Sequence, residues 1–211
     1  HADATITALN TTSLTGSAVL QTRTSGINYY GFSTLNLDLG SGNDTLNIQG
    51  TAAGSTNNIN TAAGNDQIDM SSDANITSGA GLAGTTDLIA GNVNLDAGSG
   101  TNRLRISDVA DTTGDTNISL TRNTGTTTET LTLAGIADGN IVFSAAGGNF
   151  DQGVTIFGGS GGNTFTVGGV FAGAPNLIGT GAGDDHLTLT SFTAFDGTLK
   201  IQGQDGNDVL N

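Results

Sequence analysis

The stretch "LDLGSGNDTLNIQG", from Leu37 to Gly50, contains the pattern that decides the fold of this chain. Near-copies follow as "INTAAGNDQIDM" from Ile59, "IGTGAGDDHLTL" from Ile178 and "IQGQDGNDVLN" from Ile201. Each copy has a glycine, then Asn or Asp, then Asp, and then apolar residues at every second position. Glycine, Asn and Asp favour tight turns, and alternating apolar residues are typical of strands with one buried face. The pattern therefore predicts repeated units of a turn and a strand.

The spacing of these turns indicates stacked units rather than one globular core. The glycine before each pair recurs at six positions: Gly42, Gly64, Gly100, Gly161, Gly183 and Gly206. The step is 22 residues from 42 to 64 and from 161 to 183, and 23 residues from 183 to 206. A recurring step of this size is the signature of a repeat architecture.

A second, longer period divides the chain into two diverged modules. Gly42 maps onto Gly161, and Gly64 onto Gly183, with the same offset of 119 residues (161 minus 42). We therefore predict three parts: a less regular initial segment over 1–34, a first module over 35–153 and a truncated second copy over 154–211. Because the second copy stops within a predicted strand, we expect a longer array or an end that a neighbour covers.

The fold prediction rests on the alternation around each turn. Leu35, Leu37 and Leu39 precede the first turn, and Leu46 and Ile48 follow it. Short strands in coils of about 22 residues fit an all-β fold, a parallel β-solenoid that is β-helix or β-roll-like. Its Gly-Asn-Asp turns are expected to stack along one edge. An all-β sandwich is the alternative, but a sandwich does not explain why the same turn recurs at a fixed step.

Two kinds of segment lack the turn. Ile118 and Leu131 begin further alternating stretches, which we interpret as rungs of the solenoid that have lost the motif. The polar stretches 71–86 and 108–117 are rich in Gly, Ser, Thr and Asp. We predict that both are loops that project from the stack.

The composition excludes several classes of function. The 211 residues include 5 Lys and Arg against 19 Asp and Glu, a formal net charge of −14, which opposes binding to nucleic acid or to anionic membranes. No apolar run approaches the ~18 residues that a membrane helix needs, so no membrane insertion is predicted. There is no cysteine, so stability must come from packing, hydrogen bonds or metal rather than disulfides.

The turn resembles the calcium-binding nonapeptide of hemolysin-type (RTX) repeats, G-G-x-G-x-D-x-U-x, in which U is a large apolar residue. The longer modules resemble those of giant bacterial surface and secreted repeat proteins, including adhesins. This resemblance implies calcium held between neighbouring coils by Asp carboxylates and backbone carbonyls. Carried onto this chain, it implies ten positions in metal sites: Asp44, Asp66, Asp185, Asp208, Gly42, Gly64, Gly183, Gly206, and the neutral Asn102 and Asn163. The two Asn residues depart from the family's pattern, in which the position is Asp.

A physical argument for calcium stands beside the resemblance. Corresponding positions in stacked parallel coils lie about 4.8 Å apart. Asp44 over Asp66, and Asp185 over Asp208, would repel by roughly 3 kcal/mol at an effective dielectric constant of about 20. A hard cation with oxygen ligands would remove this repulsion. Alternatively, each Asp caps backbone N–H groups of its own corner, and the sequence leaves both hypotheses open.

These features favour a structural protein. We expect an extracellular or cell-surface, bacterial spacer, filament or sheath element, joined end to end to other copies or to further modules. The alternative is an adhesin segment that binds carbohydrate or a partner cell. A third hypothesis is a β-helix polysaccharide lyase or hydrolase that uses Asp184 and Asp185. These residues occupy the repeat positions of Asn43 and Asp44, so the repeat explains them and no enzyme is predicted.

Overall fold

The computed structural model describes residues 4–11, 26–75, 82–125 and 127–211, and consists almost entirely of β-strands. Within these ranges the only helix is a 3-10 turn at Phe192–Ala194, and no helix is long or apolar enough to cross a membrane. The strands are β1 (Thr5–Thr11), β2 (Ile27–Tyr29), β3 (Thr34–Asp38), β4 (Thr45–Ile48), β5 (Thr56–Asn60), β6 (Gln67–Met70), β7 (Asn92–Asp96), β8 (Arg103–Ser107), β9 (Ile118–Asn123), β10 (Thr130–Ala134), β11 (Ile141–Ser144), β12 (Val154–Phe157), β13 (Thr164–Val167), β14 (Pro175–Gly179), β15 (His186–Leu189), β16 (Thr198–Gln202) and β17 (Val209–Leu210).

The strands form two sheets in which nearly all neighbours are parallel. Sheet A has the order β16-β14-β12-β8-β6-β4-β1-β2, and sheet B has the order β17-β15-β13-β9-β10-β11-β7-β5-β3. From β3 to β8, and again from β11 to β17, the chain passes alternately from one sheet to the other. The predicted all-β class is confirmed, and the two parallel sheets are compatible with a β-solenoid.

The register between strands contains the step seen in the sequence, interrupted by insertions. Thr34 of β3 pairs with Thr56 of β5, and Thr164 of β13 with His186 of β15, in each case 22 residues further along. The next pairing after β5 joins Thr56 to Asn92 of β7, 36 residues further along, because the loop 71–91 intervenes. The step is therefore not uniform along the chain.

The core lies between the two sheets and is built from rows of apolar side chains. Leu46, Ile68 and Leu104 occupy equivalent positions in three neighbouring strands of sheet A, and all three are fully buried. Ile59 and Leu95 form such a row in sheet B. The predicted alternation of buried and outward positions follows from this arrangement, since successive side chains of a strand point to opposite faces.

The Gly-Asn-Asp turns do not stack along one edge, as the sequence predicted, but along two opposite edges. Asp44, Asp66 and Asn102 lie where the chain passes from sheet B to sheet A. Asn163, Asp185 and Asp208 lie where it passes from sheet A to sheet B. Strands within each sheet run in one direction here, so these corners are at opposite ends of the strands. The two modules are therefore out of phase by one strand.

The cause of this phase change is a three-stranded meander in sheet B. Strands β9, β10 and β11 pair antiparallel in succession, without an intervening strand in sheet A. The interpretation of Ile118 and Leu131 as successive rungs of a parallel stack is therefore wrong. Six residues separate β9 from β10, and six separate β10 from β11. Links this short suit antiparallel neighbours, whereas a parallel return needs a dozen residues or more.

Candidate functional site

The candidate sites of the sequence lie on two ridges, one at each edge of the sheets. The first ridge is the stack of corners that contains Asp44, Asp66 and Asn102. The second ridge is the stack that contains Asn163, Asp185 and Asp208. In both, the last residue of the turn immediately precedes a strand, so parallel pairing of the strands brings equivalent turn residues together.

Side chains of the first ridge accept hydrogen bonds from the backbone of the neighbouring corner. The Asp44 N–H donates to Asp66 Oδ1 at 2.7 Å, and the Asp66 N–H donates to Asn102 Oδ1 at 3.0 Å. The Ala4 N–H extends the ladder by donating to Asp44 Oδ1 at 2.7 Å. Beyond Asn102 the backbone takes over, since the Asn102 N–H donates to the carbonyl of Asn149 at 2.9 Å.

The second ridge repeats this ladder in the other module. The Asn163 N–H donates to Asp185 Oδ1 at 2.7 Å, and the Asp185 N–H donates to Asp208 Oδ1 at 3.1 Å. The Asp115 N–H donates to Asn163 Oδ1 at 2.9 Å, so Asp115 also belongs to this ridge. The carboxylates thus cap the N–H of the adjacent corner. The sequence alternative, a cap within each residue's own corner, had the right chemistry but the wrong corner.

The residue before each ridge Asp forms a second ladder in the opposite direction. The Asn65 N–H donates to Asn43 Oδ1 at 2.8 Å, and the Thr101 N–H donates to Asn65 Oδ1 at 3.0 Å. On the second ridge, the Asn207 N–H donates to Asp184 Oδ1 at 2.9 Å. One side chain of the pair therefore reaches the following corner and the other reaches the preceding one. This accounts for a repeated pair rather than a single repeated Asp.

The glycines of the motif lie where two corners approach most closely. Gly64, Gly183 and Gly206 have φ of 149°, 114° and 137°. A Cβ on Gly64 would lie 1.8 Å from the carbonyl oxygen of Gly42, and one on Gly206 would lie 1.9 Å from that of Gly183. A Cβ on Gly183 would lie 2.9 Å from the backbone of Gly161. No side chain fits these positions without movement of the backbone.

The ridge carboxylates are buried, and each uses only one of its two oxygens in a hydrogen bond. Asp44 Oδ2, Asp66 Oδ2 and Asp185 Oδ2 are buried without a hydrogen-bond partner. Burial, and to a lesser extent repulsion by Asp44, raises the pKa of Asp66, although the hydrogen bond from the Asp44 N–H opposes it. Burial, with repulsion by Asp208, likewise raises the pKa of Asp185. The predicted repulsion is present, but burial is the larger cause.

The residues weighed for catalysis or sugar binding have other partners. Asp184 and Asp185 both accept backbone N–H groups of neighbouring corners, as described above. His186 is exposed and contacts the Asn211 side chain. Tyr29 is buried, and its hydroxyl hydrogen-bonds to Asn57, so it does not form an exposed platform with Tyr30. Each side chain has a structural explanation.

The sequence analysis missed an acidic cluster, formed by Asp108, Asp111 and Asp115. Carboxylate oxygens of the three residues lie within 4.8 Å of one another. The loop 108–117 was predicted to project from the stack, but this is wrong for Asp108, which is only 1% exposed. Burial raises the pKa of Asp108 to about 7, and repulsion by Asp115 and Asp111 adds to it. The spacing D-x-x-D-x-x-x-D was the available signal.

Chemically, the described sites offer backbone capping and oxygen ligands for a hard cation. The acidic cluster brings three carboxylates together, whereas the ridges place one carboxylate on each coil. Comparison of the chain with protein-family models, with curated proteins and with solved structures finds no match.

Proposed function

We propose that this chain is a structural segment of an extracellular filament, sheath or giant surface protein, built as a β-solenoid and stiffened by calcium. In this proposal the coils take 22 or 23 residues where no loop intervenes. The modules 35–153 and 154–211 are diverged copies that meet the sheets in opposite phase. The acidic composition and the two parallel sheets support this function.

The observation that carries the proposal is the pair of opposed ladders on each ridge. Side chains such as Asn65 and Asp66 tie one corner to both of its neighbours, in addition to the hydrogen bonds between strands. A hydrogen bond contributes about 1 kcal/mol net, and about 1.5–3 kcal/mol when one partner is charged. The most regular part of the sequence therefore serves cohesion between coils. A spacer or sheath element requires that property.

Calcium on the ridges is supported by the unpartnered carboxylate oxygens. Asp44 and Asp66 each retain one buried oxygen, Oδ2, without a hydrogen-bond partner, and so does Asp185. A buried ionised oxygen without a partner destabilises the fold unless a proton or a cation meets it. Carboxylate oxygens are the ligands that calcium prefers. We therefore assign calcium to the ridges in this proposal, with Asp208 as the partner of Asp185.

The substitution Asp66→Asn tests ridge calcium. An amide keeps an oxygen for the Asp44 N–H, and Asn102 and Asn163 show that Asn fits this position. In chelator we expect the variant to be as stable as the wild type, or up to about 1 kcal/mol more stable, because a buried charge is removed. With excess calcium the wild type should gain stability by mass action, and the variant should gain less. Thermal unfolding with and without calcium measures both effects.

Asp138→Asn is the matched control for this experiment. Asp138 is exposed and lies outside both ridges, so the same loss of charge should leave the calcium-dependent gain unchanged. If Asp66→Asn and the wild type gain equally from calcium, the ridge carboxylates act only as caps. The structural function would then stand without calcium on the ridges.

Protease resistance tests the structural function itself. A protease cleaves segments that open locally, so a stack tied at every corner should resist digestion in calcium. We expect a protected fragment that spans β3 to β17, with no turnover of pectin or alginate. Rapid cleavage at the ridge corners would contradict a stiffening role. Polysaccharide cleavage that is lost in Asp185→Asn but retained in Asp44→Asn would favour the enzyme instead.

Adhesion is the second candidate, and one surface favours it. Tyr30 and Phe32 are 50% and 62% exposed, and they line a shallow pocket with residues 52–54. Exposed aromatic rings provide apolar faces on which sugar rings can stack. Binding to a glycan array that Phe32→Ser abolishes would support the adhesin hypothesis. Without such binding, the aromatic pair has no role in adhesion to carbohydrate.

End-to-end pairing completes the proposal. Strands β16 and β17 are the last strands of sheets A and B, and in β17 Val209 and Leu210 are 44% and 58% exposed. A strand at the end of a sheet presents unpaired N–H and C=O groups that pair readily with another strand. We propose that strands of a further module or of another copy occupy this edge.

A further inference from the structure

The acidic cluster on the loop after β8 forms a site distinct from the Gly-Asn-Asp turns. Asp108 directly follows β8 in sheet A, and Asp111 and Asp115 lie further along the same loop. Within the described ranges, these are the only three His, Cys, Asp or Glu side chains whose ligand atoms meet within 4.8 Å. A cluster of acids alone is common on protein surfaces. The burial and the hydrogen bonds of Asp108 separate this cluster from such cases.

Asp108 directs a buried oxygen without a hydrogen-bond partner to its acidic neighbours. Its Oδ1 accepts hydrogen bonds from the Thr86 N–H at 2.6 Å and from the Thr86 hydroxyl at 2.9 Å. Its Oδ2 is buried without any partner, and Asp115 Oδ2 is in the same condition. Two facing carboxylate oxygens that are excluded from water need a positive charge or a shared proton between them.

The backbone holds the ligands in place. The Asp115 N–H donates to Asn163 Oδ1, and its carbonyl accepts the Thr164 N–H at 2.7 Å. The Asp111 carboxylate accepts hydrogen bonds from the backbone N–H and the hydroxyl of Thr113. Its own carbonyl accepts the Ser160 N–H. Both acids are therefore anchored to the corner between β12 and β13, and little ordering would be needed on binding.

The charges around the cluster favour a cation from solution. In the described part of the chain, the arginines form ion pairs with Asp69, Glu129 and Asp196, not with the cluster. Exposed Asp87 adds a further negative charge close to Asp115. The cluster offers oxygen ligands and no nitrogen or sulfur. Calcium accepts six to eight oxygens from protein groups, whereas magnesium retains most of its water.

We propose that Asp108, Asp111 and Asp115 bind one calcium ion, which fastens the loop 108–117 to the corner between β12 and β13. The site joins the two modules, because the loop leaves β8 in the first and the corner belongs to the second. It is also the place where the ridge motif changes edge. The site uses none of the ridge carboxylates assigned above, so it stands or fails separately from ridge calcium.

Calorimetric titration of the whole chain with calcium chloride tests the proposal, using Asp108→Asn as the main variant. Asn keeps the acceptor for the two Thr86 hydrogen bonds and removes a buried charge, so the variant should fold. We expect one calcium site to weaken by at least about tenfold, as losses around a metal commonly do. In chelator, the melting temperature of the variant should equal or exceed that of the wild type.

Two further variants make the result specific. Asp87→Asn removes the same charge beside the cluster without removing a ligand, so its calcium affinity should change by about twofold at most. Asp66→Asn alters the first ridge only and should retain the component that depends on Asp108. Equal calcium affinity and stoichiometry in the wild type and Asp108→Asn would overturn the proposal. So would the absence of calcium binding by the wild type, which would leave a shared proton between the carboxylates.

Discussion

Gly64→Ala should destabilise this protein by about 3 kcal/mol or more, because two independent constraints meet at this residue. Its φ of 149° is rarely adopted by residues with a side chain. A Cβ would also lie 1.8 Å from the carbonyl oxygen of Gly42, so the two corners would have to separate. Separation would lengthen the hydrogen bond between Asp44 and Asp66 at the same corner. For a chain of this length we expect the melting temperature to fall by roughly 10 °C.

Gly54→Ala separates the two constraints. Gly54 also has a positive φ, 72°, but no atom lies within 4 Å of the position that its Cβ would take. The expected loss is therefore only about 1 kcal/mol, the conformational cost alone. Chemical denaturation of both variants measures the difference. If Gly64→Ala costs no more than Gly54→Ala, the close approach between corners is absent in solution.

Much of the ridge geometry could be predicted from the sequence because it depends on local pattern. Alternation at Leu46 and Ile48 decides which side chains enter the core, and the 22-residue step decides which turns are neighbours. Once strands pair in parallel, Asp44 and Asp66 must lie on adjacent coils. Their hydrogen bonds were less accessible to sequence reasoning. Whether a carboxylate caps its own corner or the next depends on side-chain geometry that the motif does not encode.

The change of edge could not be read from the repeat. The match of Gly42 to Gly161 is a match of turn and strand, and it contains no information about which sheet the strand joins. That depends on how many strands lie between the modules and in which sheet. The meander from β9 to β11 adds three strands to sheet B and none to sheet A. Short links decided this, and they lie outside the motif.

The acidic cluster was missed for a different reason. In the sequence, Asp108 is one acid in a polar stretch of the kind that usually forms an exposed loop. Its burial depends on Thr86, which belongs to another inserted loop and donates two hydrogen bonds to the carboxylate. Contacts between two insertions have no periodicity. Only the spacing of the three acids hinted at a common site.

Removal of the Asp69 carboxylate should have the second large effect on stability. Asp69 lies on the outward face of sheet A, yet it is fully buried. Its Oδ1 accepts a hydrogen bond from Arg105 Nε at 2.8 Å, Arg105 Nη2 contacts Oδ2, and Arg103 Nη2 lies 3.6 Å from Oδ1. The hydrogen bond to Asp69 raises the pKa of Arg105, whereas burial and repulsion by Arg105 lower that of Arg103. One carboxylate therefore compensates two cations.

Asp69→Ala should cost about 3 kcal/mol, because loss of one partner leaves charge buried without compensation. Asp196→Ala is the control, since Asp196 also pairs with an arginine, Arg122, but its side chain is 60% exposed. Exposed pairs contribute little, so we expect a loss below about 1 kcal/mol there. Denaturant unfolding of Asp69→Ala, Arg105→Ala and the double variant should give a coupling energy of about 1 kcal/mol or more. Additive losses would mean that water, rather than Asp69, compensates Arg105, and the outward face of sheet A would then be hydrated at this position.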